Sequence, residues 1–60
     1  MFTAQEKLKA IERELKYRRS VYGRMLLTNS ITQEFADRQI KVFEEIAEDY
    51  QELAKKERLL

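Results

Sequence analysis

The chain has 60 residues, 12 basic and 11 acidic side chains for a formal net charge of +1, and no Cys, His or Pro. A chain this short forms one domain at most and buries only roughly 60% of the surface its unfolded form exposes, a shortfall that small proteins offset with disulfides, a metal or oligomerisation. Without Cys or His the disulfide and the soft or imidazole metal ligands are excluded, so self-association is the remaining device, and near-neutrality excludes a global field for nucleic acid or anionic lipid.

The chain opens with "TAQE", in which Thr3 as N-cap and Glu6 three residues on make a capping box. Ala4, Leu8, Ile11, Leu15, Tyr22, Met25 and Leu26 then recur at helical spacing, which predicts a first helix over about 4–27. Gly23 lies inside it, at a cost of about 1 kcal/mol relative to Ala, and marks either a bend or a close contact. "LTNSITQE" interrupts the pattern: Asn29 and Ser30 are turn formers, placing a turn at about 28–31. Ser30 with Gln33, or Thr32 alone, can cap a second helix, and Ile31 stands at the position of a hydrophobic staple. That second helix is expected over about 32–56.

Charge is divided between the helices. Ala4 to Thr28 holds seven basic and three acidic residues, whereas Gln33 to Ala54 holds seven acidic and two basic ones. A short turn makes the helices antiparallel neighbours, with facing residues centred near Ser30. This register sets Arg24 against Asp37, Lys16 against Glu44 and Glu45, Arg13 against Glu48, and Lys9 against Glu52. It also sets Leu8 against Leu53, Leu15 against Ile46, and Met25 near Phe35 and Ala36. Exposed pairs contribute only about 0.2 to 1 kcal/mol each, so their expected role is to choose pairing and orientation. Within the helices, Glu12/Lys16, Glu14/Arg18, Glu34/Arg38, Asp37/Lys41 and Glu52/Lys56 have the favourable acid-before-base order.

The second helix carries more apolar surface than one neighbour covers. Ala36, Ile40, Phe43, Ala47, Tyr50 and Ala54 form one seam, and Phe35, Val42, Ile46 and Leu53 form another beside it. Two adjacent seams per helix is the pattern of a four-helix bundle. The expected architecture is therefore an all-α, two-helix antiparallel hairpin that dimerises into such a bundle, with Phe35, Val42, Phe43, Ile46, Tyr50 and Leu53 as the dimer interface. Arg18 falls inside the main stripe of the first helix. It reads as an interfacial arginine whose stem packs while its head reaches Glu45, Asp49 or an acid of the partner chain; the sharper reading is an anion-binding residue.

Catalytic chemistry is poorly supplied. No nucleophile–base constellation is visible, the Glu-x-x-His motif of di-iron bundles cannot occur, and Glu44, Glu45, Glu48 and Glu52 read as a solvated face, so no enzyme activity and no cofactor is expected. No apolar run approaches the roughly 18 residues of a membrane span, and Met1 to Leu8 lacks a signal-peptide core. A cytoplasmic protein without membrane contact is expected. For nucleic acid or another partner the candidate face is Arg13, Tyr17, Arg18 and Arg24, where cations accompany a stacking ring. The bland reading is a solvated face beside an acidic helix. A hairpin dimer of this kind is similar in architecture to plasmid copy-control proteins of the Rop type, which bind paired RNA loops, an analogy of fold alone.

"ERELKYRRSVYGRML" followed by "ITQEFADRQIKVFEEIAEDYQELA" resembles a group of small phage- and prophage-encoded helical-hairpin proteins with an E-R-E-L-x-x-R-R-x-V-Y core and a second helix reading A-D-R-Q-I and E-x-I-A-x-D-Y. That group often has Pro after V-Y and Gly in the turn, where this chain has Gly23 and Ser30, so a first helix ending or bending at Tyr22 stays open. The resemblance implies origin in a mobile element, with "ADRQI" and "EDY" as pairing and packing positions of the second helix, and carries over no activity. The expected function, a small non-enzymatic interaction protein, rests on the residues themselves, and a host or phage protein as partner has no sequence signature.

Overall fold

A computed structural model describes residues 1–59. It consists of α1 (Ala4–Leu27) and α2 (Gln33–Leu59), joined by a five-residue turn, with no strand among the described residues. The two helices run antiparallel as a rod of 47 × 15 × 15 Å. The all-α hairpin expected from periodicity is the fold observed.

The start of α1 is fully accounted for, which matters because a helix leaves its first four amides without intrahelical partners. Glu6 N–H donates to Thr3 Oγ1 at 3.1 Å and Lys7 N–H to the Thr3 carbonyl at 3.1 Å, while Thr3 N–H donates back to Glu6 Oε1 at 3.3 Å, completing the capping box. The remaining two come from the other end of the chain: Ala4 N–H donates to Glu57 Oε2 at 2.8 Å and Gln5 N–H to Glu57 Oε1 at 3.4 Å. A carboxylate there also opposes the positive end of the helix dipole. Glu57 thus clips the chain ends together, and α2 runs on to Leu59, three residues past its expected end, because nothing in "AKKERL" breaks a helix.

The helix is continuous through Gly23 and does not end or bend out of its helical pattern at Tyr22. No atom beyond the glycine's own neighbourhood lies within 4 Å of where its Cβ would stand, so it marks no close contact. α1 ends instead at Leu27, with Thr28 as its C-cap and Asn29 after it in the left-handed region at a φ of 57°. Ser30 N–H donates to the Met25 carbonyl at 2.8 Å and Asn29 N–H to that of Leu26 at 3.2 Å, the six-to-one and five-to-two bonds of a Schellman motif with Asn in place of Gly. Thr28 Oγ1 donates to the Met25 carbonyl at 3.2 Å and shares a bond with Ser30 Oγ. That commits Ser30 to closing α1; Thr32 caps α2 alone, with Phe35 N–H donating to its Oγ1 at 3.1 Å.

Small residues make the seam between the helices. Of the five buried side chains, four are alanines (Ala4, Ala36, Ala47 and Ala54) and one is Leu15. Leu8, Ile11, Tyr22, Leu26, Ile40, Phe43 and Tyr50 flank them half-buried, as does Ile31 in the turn. The buried residue on the α2 side near Leu8 is Ala54, not Leu53, which is exposed; near Leu15 it is Ala47, with Ile46 half-buried. The register is near the expected one, but the larger residue of each neighbouring pair has turned outward.

Candidate interaction site

The second α2 seam stands open. Phe35, Val42 and Leu53 are 47%, 43% and 46% exposed, and Ile46 is half-buried between them. Phe43 and Tyr50, placed with them in the expected dimer interface, belong to the closed seam: Arg18 lies over the Phe43 ring with its guanidinium carbon 4.3 Å from the centroid, and Lys7 Nζ stands 5.9 Å from that of Tyr50. Tyr22 meets Phe35 edge to face at a centroid distance of 6.3 Å. These contacts put the open seam of α2 and the Lys7, Glu14, Arg18, Val21 flank of α1 on one side of the rod, since both helices reach each other from that side. The face is apolar along α2 and mixed along α1.

Arg18 lies in this face, but its expected partners are replaced. Its Nε donates to Glu14 Oε1 at 2.8 Å, one turn back on its own helix, and Nη1 donates to the Tyr22 hydroxyl at 3.0 Å. Neither Glu45 nor Asp49 is reached, because the Phe43 ring takes the space across which the guanidinium would extend, and a half-exposed cation stacked on an aromatic face is favourable there. The Tyr22 hydrogen bond, aided by Glu14 and opposed by desolvation, raises Arg18 above its ordinary pKa. The cation is fixed at every accessible pH.

The expected ladder of ion pairs between the helices is not formed. Arg24–Asp37, Lys16–Glu44, Lys16–Glu45, Arg13–Glu48 and Lys9–Glu52 are absent among the described residues, where Arg19–Glu44 at 2.8 Å is the one salt bridge between helices. The shift has a geometric cause: at 100° per residue Arg19 lies 40° from Leu15 at the centre of the seam, whereas Lys16 lies 100° away and Arg13 and Arg24 point outward. Of the pairs expected within a helix, only Glu14/Arg18 forms; Glu52 turns to Lys55 at 3.5 Å, and Asp37 accepts from Gln33 Nε2 at 2.8 Å.

Arg13, Tyr17 and Arg24 stand on the outer face of α1, with Tyr17 61% exposed. Arg18 is not among them, since its helical position turns it to the open apolar face. The rod therefore carries two separate candidate surfaces, an apolar face and a basic outer row. Among the described residues no group of His, Cys, Asp and Glu is arranged to hold a metal, and no helix is long and apolar enough to cross a membrane. Sequence reasoning missed Glu57. Its signal was available in the register, which sets it opposite Ala4, together with the general attraction of a carboxylate to a helix N-terminus.

Comparison with known protein families, with curated proteins and with solved structures found no match.

Proposed function

We propose that this chain is a small non-enzymatic interaction protein that self-associates through the open seam of α2, forming a four-helix bundle from two hairpins. The observation that carries the reading is the area left uncovered. The chain exposes 5141 Å² at a mass of 7.3 kDa, against about 4,200 Å² for a compact monomer of that mass. The excess of about 1,000 Å² is comparable to the roughly 800 Å² each partner contributes to a standard interface. Phe35, Val42 and Leu53, all exposed, form a row at helical spacing along one side of the rod. Origin in a phage or prophage rests on the residue pattern that resembles such proteins, and a cytoplasmic setting with a phage or host protein as a further partner is part of the same proposal. The first test is light scattering over a concentration series: a mass of twice 7.3 kDa that persists at high salt is expected, and a folded monomer throughout would overturn the reading.

A second reading is favoured by one specific observation. Among the described residues Arg13 and Arg24 have no salt-bridge partner, so the acidic helix does not neutralise the outer row as the expected register required. In that reading the bundle binds structured RNA or DNA through Arg13, Tyr17 and Arg24. Binding that weakens steeply with salt, with a slope that falls by about 1 on Arg24→Ala, would support it.

A further inference from the structure

On α2 the open face carries Phe35, Gln39, Val42, Ile46, Asp49 and Leu53, spaced four, three, four, three and four, which is the heptad spacing of a helix seam. A row of this spacing is symmetric about its midpoint, here position 44, so an antiparallel copy brings Phe35 level with Leu53, Gln39 with Asp49 and Val42 with Ile46. The flank of α1 on the same side has a centre too: Ile11 with Val21, and Glu14 with Arg18, lie equally about position 16. The two centres stand at one level of the rod, for Arg19, less than one turn from position 16, bonds Glu44 itself. A two-fold axis crossing the rod at right angles requires this arrangement, because in an isologous contact residue i meets j of the other copy while j meets i.

We propose that the occupant of the open face is a second copy of this chain related by that axis, with α2 antiparallel on α2 and α1 antiparallel on α1. The proposal rests on the self-association reading and adds its geometry. Phe35 then covers Leu53 of the second copy and Val42 covers Ile46, twice over. The two polar members of the row meet each other: the Gln39 amide donates to the Asp49 carboxylate of the second copy. On the other helix pair Glu14 accepts from Arg18 of the second copy as well as from its own, converting two intrachain pairs into one closed network. Polar groups in such a seam disfavour every register that leaves them unpaired. Packing α2 on α1 of the second copy would instead set the apolar row against Lys7, Glu14 and Arg18, and would require no common centre.

The chain lacks Cys, so cysteines can be introduced singly. Gln39 and Asp49 are about 15 Å apart along their helix, well beyond disulfide reach. The double variant Q39C/D49C should convert to a covalent dimer on oxidation, while Q39C and D49C alone should not. Crosslinking of Q39C alone would mean parallel copies and would overturn the geometry. A protein dimeric by light scattering that yields no Q39C/D49C crosslink would overturn the geometry while leaving self-association standing; a monomer at all concentrations would overturn both. Glu14→Arg and Arg18→Glu give an independent test. Each variant alone should dimerise at least about ten-fold more weakly, and their equimolar mixture should recover, since each like-charged chain then faces the opposite charge. Repulsion within each chain persists in the mixture, so recovery reports pairing between copies. Failure to recover, with both chains helical by circular dichroism, would overturn the α1 pairing.

Discussion

The two seams of α2 lie side by side on one helix and are built from different residues. The closed seam alternates alanines (Ala36, Ala47, Ala54) with half-buried Ile40, Phe43 and Tyr50, and α1 settles on the alanines; the open seam holds Phe35, Val42, Ile46 and Leu53, which stay partly exposed although Phe35 meets Tyr22 edge to face. Small side chains let two helices approach closely but remove little apolar area from water, while the larger residues on the neighbouring seam remain in solvent. A hairpin organised in this way gains its geometry from the first seam and leaves nearly half of Phe35, Val42 and Leu53 uncovered on the second. That difference predicts that substitutions in the open seam act on assembly and those in the closed seam on the fold of each chain.

The largest effect is expected at Val42. Val42 is 43% exposed in the hairpin, so Val42→Glu removes apolar burial of roughly 1 kcal/mol per copy and, at greater cost, places a charge in the seam, and each dimer carries the change twice. A loss of about 3 kcal/mol or more corresponds to at least about a 100-fold rise in the dimer dissociation constant, measurable by sedimentation equilibrium, with a concentration-dependent melting temperature lost at the same time. Wild-type affinity in this variant would mean that the open seam is not where the copies meet. Ala47→Leu tests the other seam. Ala47 is 8% exposed where α1 crosses, and a larger side chain forces the helices apart at about 1 to 3 kcal/mol. The urea midpoint should fall at every protein concentration. A fall that vanished at high concentration would assign Ala47 to the assembly instead.

The two helices, their approximate register and the existence of two seams were legible in the sequence because an apolar residue every three or four positions fixes a face despite local exceptions. The capping box was legible because its two partners are three residues apart. What was not legible depends on angles finer than the pattern resolves. Lys16 and Arg19 both satisfy an antiparallel register with Glu44, but only Arg19 lies close enough to the seam to reach it at 2.8 Å. Arg18 was placed correctly in the main stripe, yet its partner was decided by the Phe43 ring and the Tyr22 hydroxyl, both reached only once the helices are packed. Thr32 prevailed over Ser30 as the cap of α2 because Ser30 is tied back to α1, its Oγ to Thr28 Oγ1 and its N–H to the Met25 carbonyl, beside the left-handed Asn29.

A smaller effect belongs to the end of the rod, where Glu57 of α2 accepts from the first amides of α1. Replacing it by Ala frees the Ala4 and Gln5 amides and removes a charge from the helix N-terminus, an expected loss of about 1 kcal/mol. Hydrogen exchange should locate that loss in the first turn of α1 and the last turn of α2, leaving the protection of Leu15 and Ala47 unchanged. Loss of protection along the whole rod would show that the two ends and the centre unfold as one unit, and that the closed seam does not hold the hairpin without its clip.

The smallest expected effect has the opposite sign and separates both seams from the flank on the far side of the rod. Gly23 is exposed beside the shallow groove that Arg19, Asp37 and Glu44 line, in regular helix, with no atom in reach of an added Cβ. Gly23→Ala should therefore raise stability by about 0.8 to 1 kcal/mol, the intrinsic helix preference alone, with an unchanged dimer constant. The sign follows from the open space: an alanine there meets nothing in the hairpin, and the two-fold arrangement proposed here buries the opposite side. If Gly23→Ala instead weakened the dimer, the groove around Gly23 would have to be covered in the assembled protein, and the copies would meet across the polar flank on which Arg19 pairs with Glu44.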